Sequence, residues 1–185
     1  MGNGFRWRSR GFTLIELMAV VIIVGILAVV GLVSYRRFIT SARTSEAVYM
    51  VGSIRAAQES YRSETLNYLD VSTNGITSYY PSASPGAFKT AWGAGSDEQA
   101  NRWRQLGVRP DGPVVYGYAC RAGGASETIA TKVSGLPLAN APTWPTPNEP
   151  WYVILAAGDV DGNGDFSYVV GSSFTGEIYI ENEGE

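Results

Sequence analysis

From Phe12 to Tyr35 the chain is apolar at nearly every position, FTLIELMAVVIIVGILAVVGLVSY, with Glu16 as its one charged side chain. Wound as an α-helix, those 24 residues would span about 36 Å, enough to cross a hydrocarbon layer of about 30 Å. Past Tyr35 the apolar positions become periodic. Ala47, Met50, Val51, Ile54, Ala57 and Tyr61 recur at helical spacing, with Arg43, Glu46, Arg55, Glu59 and Arg62 on the remaining surface. One helix from about Thr13 to Glu64 would be about 80 Å long. Its second half has a stripe to bury against a core. Its first half is apolar all round and needs lipid or neighbouring copies.

The pattern then changes. Residues 67–113 are rich in Asn, Ser, Pro, Gly and Tyr, and are too long for an ordinary loop. Within them Ser96, with Gln99 three residues on, reads as a capping box opening a short helix at 97–106, with Trp103 and Leu106 inward and Gly107 as the stop. Strands are predicted at 114–120, 128–133, 151–157, 166–171 and 177–181. Val153 and Leu155, and then Phe166, Tyr168 and Val170, alternate as in an antiparallel sheet with one buried face. The stretch APTWPTPNEP, 141–150, is too rich in proline for a central strand. The predicted class is α+β, a long N-terminal helix packed on a small antiparallel sheet.

Composition removes much of the enzyme repertoire. The chain of 185 residues contains no histidine and one cysteine, Cys120. Serine–histidine triads, histidine-ligated zinc, cysteine metal clusters and an internal disulfide are therefore excluded. No P-loop is present. Cys120, in YGYAC on a predicted strand, reads as a buried free thiol. The net charge of −3 is unevenly spread: Arg6, Arg8 and Arg10 stand in the first eleven residues, which hold no acid. The rest of the chain is acidic overall and has no extended basic surface for nucleic acid. The three leading arginines place the N-terminus in the cytoplasm and the bulk of the chain outside. A secretory signal would have a shorter apolar core followed by a small-residue cleavage site, and none follows here.

Glu16 does not fit a plain membrane anchor, because a carboxylate in hydrocarbon needs a partner and no Lys or Arg in the run supplies one. With Glu16 in place, the residues RGFTLIELM, Arg10 to Met18, resemble the leader and first helix of type IV prepilins. That resemblance implies cleavage after Gly11 by a prepilin peptidase, N-methylation of the new N-terminal Phe12, and Glu16 as the carboxylate used in assembly. It also implies a pilin-like fold in three parts: a cytoplasmic leader 1–11 that is removed, a transmembrane and filament-core segment 12–35, and a globular domain 36–185 outside the cytoplasm. The implied protein is not an enzyme. It is a subunit added head-to-tail to copies of itself in a helical filament, with an inner-membrane platform and an ATPase supplied by other chains. It would be a bacterial inner-membrane precursor first, then part of a surface pilus or a periplasmic pseudopilus. One departure matters: many pilins carry a proline late in the apolar run, where this chain has Gly31-Leu32-Val33. That keeps a pseudopilin of type II secretion, or a minor pilin, as the alternative. A monomeric membrane-tethered calcium-binding module is a third reading.

The calcium reading comes from GDVDGNGDFS, 158–167. Asp159, Asp161, Asn163 and Asp165 put hard oxygen ligands at every second position. The position where an EF-hand loop needs a bidentate Glu is Val170. Asp, Asn and Gly also satisfy a hairpin turn with no metal at all. The expectation is a protein that requires no cofactor, with calcium at this turn as the alternative.

Overall fold

A computed structural model describes residues 11–183. They fall into two compact units, one ending at Phe38 and the other beginning at Ile39. Helix α1, Leu14–Thr65, runs through the end of the first and into the second. In the first unit every side chain from Phe12 to Phe38 is exposed. This helix is long and apolar enough to cross a membrane.

In the second unit α1 buries Thr44, Ala47, Met50, Val51, Ile54 and Gln58, while Ala57 and Tyr61 of the expected stripe are half-buried. It ends where Leu66 turns left-handed at φ 62°, its N–H still reaching the Arg62 carbonyl at 2.8 Å. Helix α2, Glu98–Leu106, buries Ala100, Trp103 and Leu106 and stops at Gly107 in the left-handed region. Its cap is Asp97, whose side chain accepts the Ala100 N–H, not Ser96 as the sequence suggested. Gln99 is used elsewhere: its amide donates to Ser72 Oγ at 3.0 Å and to the Ser78 carbonyl at 2.6 Å.

Four strands follow: β1 Gly117–Gly123, β2 Trp151–Gly158, β3 Ser167–Ser172 and β4 Ile178–Glu181. They form one antiparallel meander in chain order, β1-β2-β3-β4. Two strand assignments need correction. Residues 128–133 are not a strand; helix α3, Ile129–Lys132, occupies them. The β-branched residues favour a strand, but the buried positions are Ile129 and Val133, spaced four apart as on a helix face. Strand β1 begins later than expected and runs past Cys120 to Gly123. Arg121 can lie inside it because its Nη1 donates to the Ser72 carbonyl at 2.6 Å and its Nε lies 3.4 Å from Asp70 Oδ1.

The sheet is also buried on both faces, not one. Tyr152, Ile154, Ala156 and Val169 pack with α1 residues Ala47, Met50, Val51 and Ile54. Val153, Leu155 and Val170 lie in a second cluster with Ile129, Val133 and Trp151, against Trp144 and Phe174. The Pro-rich segment, not solvent, lies on that side. Close approach of α1 to the sheet depends on Gly171, where an added Cβ would stand 2.7 Å from Val51 Cγ1.

Candidate functional site

The start of α1 is built by a reciprocal cap. Thr13 precedes the first helical residue, and its Oγ1 accepts the Glu16 N–H at 3.3 Å. The Glu16 carboxylate reaches back, accepting the Thr13 N–H at 2.9 Å and the Thr13 hydroxyl at 2.7 Å. This is the T-x-x-E capping box, which satisfies two helix-end donors at once and sets a negative charge at the positive end of the helix dipole. It is legible in FTLIE as Thr13 and Glu16, three residues apart at the head of an apolar run. Its consequence is positional: the carboxylate is held within one turn of Phe12, outside the helix barrel. Gly11 and Phe12 are exposed and outside regular structure. The leader arginines Arg6, Arg8 and Arg10 lie outside the described residues.

The acidic turn between β2 and β3 is made by its own side chains. Asp159 accepts the N–H groups of Gly162 at 2.8 Å and Gly164 at 3.2 Å, one on each carboxylate oxygen. Asp161 Oδ1 accepts the Asn163 N–H at 3.2 Å, and Asn163 Oδ1 accepts the Asp165 N–H at 2.6 Å. Val160 is buried, and its carbonyl accepts a hydrogen bond from Arg43 Nη1. Asp159, Asp161 and Asn163 thus turn their side-chain oxygens to separate backbone donors, Asp165 supplying one of those donors. Among the described residues no three His, Cys, Asp or Glu side chains converge on a point that could hold a metal ion. A divalent cation would have to compete with the bonds that form the turn.

The sequence reading missed what the polar residues of α1 do. They were expected to coat its surface, and instead they hold the rest of the unit. Glu46 Oε1 accepts the Val115 N–H at 3.0 Å. Arg55 donates to the carbonyls of Thr175 at 2.6 Å and Gly176 at 2.9 Å, pinning the β3–β4 turn where a disulfide is impossible. Arg62 bonds Tyr68 at 2.9 Å and Glu149 at 3.0 Å. Gln58, fully buried, pairs both ways with the backbone of Leu69 and donates to Cys120 Sγ at 3.1 Å. Cys120 lies in β1 and is buried, as expected, and burial pushes its thiol up to about 12.

The pattern described as the prokaryotic N-terminal methylation motif matches residues 8–32. The chain is 44% identical over 66 residues to a type IV major pilin protein of Myxococcus xanthus, covering 36% of this chain and 30% of that one. It is 42% identical over 56 residues to a fimbrial protein of Eikenella corrodens, covering 30% and 37%. It is 45% identical over 53 residues to a type IV major pilin protein of Neisseria gonorrhoeae, covering 29% and 32%. The matches span about a third of the length of these relatives. No solved structure matches the chain.

Proposed function

We propose that this chain, which is of the type IV pilin or prepilin-like family, is a structural subunit that is cut after Gly11, methylated on Phe12 and added head-to-tail to a helical filament. One observation carries the reading. The segment from Phe12 to Phe38 buries nothing of its own chain, and its entry is closed by a fixed carboxylate at Glu16. A surface that apolar must be covered, by a membrane in the precursor and by neighbouring helices after extraction. Glu16 then meets the Phe12 amino group of an adjacent subunit, a buried charge pair that fixes register more than it stabilises. Repeating one such contact between two different surfaces gives an open helix of subunits instead of a closed ring. The partners this requires are copies of the chain itself, a prepilin peptidase, and the platform and ATPase that drive extraction from the inner membrane.

Intact-mass analysis of protein sheared from cells tests processing. The expected mass is that of the chain from Phe12 plus one methyl group. A large charged residue in place of Gly11 should leave the precursor uncut, whereas Gly11→Ala should be partly tolerated. Surface filaments whose subunits retain the eleven-residue leader would overturn the proposal.

A pseudopilin or minor pilin is the second reading, and α1 itself favours it. The helix continues through Gly31, Leu32 and Val33 without a break. A proline there would remove a backbone donor and favour local melting. Electron microscopy of the cell surface separates the pseudopilin from a major or minor pilin, since a pseudopilin leaves no external filament.

No cofactor is part of this proposal. The reading with calcium predicts that the Asp161→Ala chain loses a calcium-dependent rise in melting temperature, because a bound ion stabilises by mass action. The reading without it predicts coincident melts in calcium and in chelator. On that reading the larger loss comes from Asp159→Ala, which frees two backbone N–H groups and should lower the melting temperature by about 2–4 °C. Thermal melts of the full chain in detergent decide between them.

A further inference from the structure

Phe88 is the most exposed of the large apolar side chains among the described residues, at 88%, yet the backbone that presents it is fixed. Thr90, two residues on, exchanges backbone hydrogen bonds of 2.7 and 3.0 Å with Val114. Just before it, Ala87 Cβ lies 3.8 Å from where a Cβ on Gly162 would stand, so Phe88 stands beside the acidic turn. Asp161 and Asp165 of that turn are exposed, and neither pairs with a cation among the described residues. Lys89 does not supply one, since its Nζ lies 3.5 Å from Glu46 Oε2. The result is an apolar knob flanked by carboxylates that nothing on the chain neutralises.

The same unit carries a matching hollow. Trp92, Gly93, Arg104, Val108, Arg109 and Pro110 line a pocket of about 330 Å³. A cavity of about 150 Å³ already holds a benzene ring. The pocket's shape is set before anything enters it. The Trp92 ring meets Trp103 in a T-shaped contact at 5.3 Å, and its Nε1 donates to the Val108 carbonyl at 3.1 Å. The Gly93 N–H donates to the Tyr80 hydroxyl at 2.8 Å. Arg104 is held by the Asn101 side chain and the Gly95 carbonyl, both uncharged. Neither Arg104 nor Arg109 pairs with a carboxylate among the described residues, and Asp111, close by in the chain, does not line the pocket.

We infer that Phe88 of one copy seats in the Trp92 pocket of the next, with Arg104 and Arg109 of the pocket facing Asp161 and Asp165 of the entering copy. The inference rests on the filament subunit proposed above and names one contact between its copies. An aromatic anchor in a preformed pocket, ringed by opposite charges, is the arrangement in which few residues carry most of an interface's energy. The charges add orientation, because a copy entering the other way round would set like charges together. Knob and pocket use different residues, so each copy offers both at once. Such a contact repeats along an open row and does not close on a pair.

Because Phe88 is exposed, replacing it does not disturb the fold of a single chain. A full chain made in cells with Phe88→p-azidophenylalanine carries a light-activated group on the knob. Irradiated filaments should give covalent dimers, trimers and longer species on a denaturing gel, the cross-linked peptide containing Trp92 or residues 108–110. Arg109→Glu should lower that yield at least about fivefold, and adding Asp161→Lys with Asp165→Lys should restore most of it, since opposite charges then face each other again. Filaments that form without this adduct, or with adducts elsewhere only, would overturn the inference alone. So would dimers with no longer species, which mark a closed pair, and so would reversed charges that restore nothing. If the chain makes no filament, membranes that hold it are irradiated instead. The same ladder there would support the contact and overturn the filament reading, and its absence would overturn both.

Discussion

A Glu16→Gln chain is expected to be cut and methylated normally, and yet to give at least about tenfold fewer filaments than the unaltered chain. The substitution separates two roles that the structure combines in one side chain. Glutamine can still take both bonds of the capping box with Thr13, so the start of α1 keeps its conformation. It cannot neutralise the amino group of a neighbouring Phe12, which is then left charged among apolar helices. Glu16→Val removes the cap as well and should favour retention in the membrane, because the one carboxylate of the span is gone. Filament counts by electron microscopy, with immunoblots of sheared and membrane fractions, measure both outcomes. Normal filament yield from Glu16→Val would show that the carboxylate has no part in assembly.

The second large effect belongs to Gln58. Its amide donates to the Leu69 carbonyl at 2.8 Å and its carbonyl accepts the Leu69 N–H at 2.9 Å, all in the dry interior. Replacement by Leu keeps the volume and strands both backbone groups, at about 1–3 kcal/mol each. A loss of about 3 kcal/mol corresponds to a melting temperature lower by about 6–12 °C. Gln58→Glu should be worse than a simple amide loss, because a carboxylate cannot donate to Leu69 and would be buried unpaired. Circular dichroism melts of the full chain in detergent check both. A Gln58→Leu chain melting within about 2 °C of the parent would mean that the backbone at Leu69 finds other partners.

The sequence was most readable where one physical demand dominates. A run as apolar as 12–35 can only be helix if it crosses a membrane, and the Ala47–Ile54 stripe repeats at a single period, so α1 was located to within a residue at each end. The four strands, β1 to β4, were found because they alternate or are continuously apolar. Residues 128–133 misled because Thr128, Ile129 and Thr131 favour a strand locally, while Lys132 reaches Asp70 and Glu127 from a helical turn. Asp70 is distant in sequence, and no local pattern announces it. The same holds for Arg55 and Arg121: a charged residue on a periodic surface looks solvated until the carbonyls it serves are in place. Of the candidate site, the motif around Gly11 and Phe12 was plain from residue type. The separate aims of Asp159, Asp161 and Asn163 were not, because spacing alone does not tell a side chain bonded to its own turn from one facing a cation.

Arg43, Glu46, Arg55, Gln58 and Arg62 attach α1 to the turns and edges around the sheet at points spread over about 28 Å of helix. Tension applied at Ile39 and carried along α1 therefore loads these attachments in shear, several at a time, instead of peeling them open in sequence. The apolar stripe between them adds to the same resisting surface. The β3–β4 turn, bonded directly to Arg55, shares the load although it lies over a hundred residues away along the chain. A subunit built in this way resists being drawn out by its helix without any covalent cross-link, and its weak direction is sideways, where the helix can be lifted from one end.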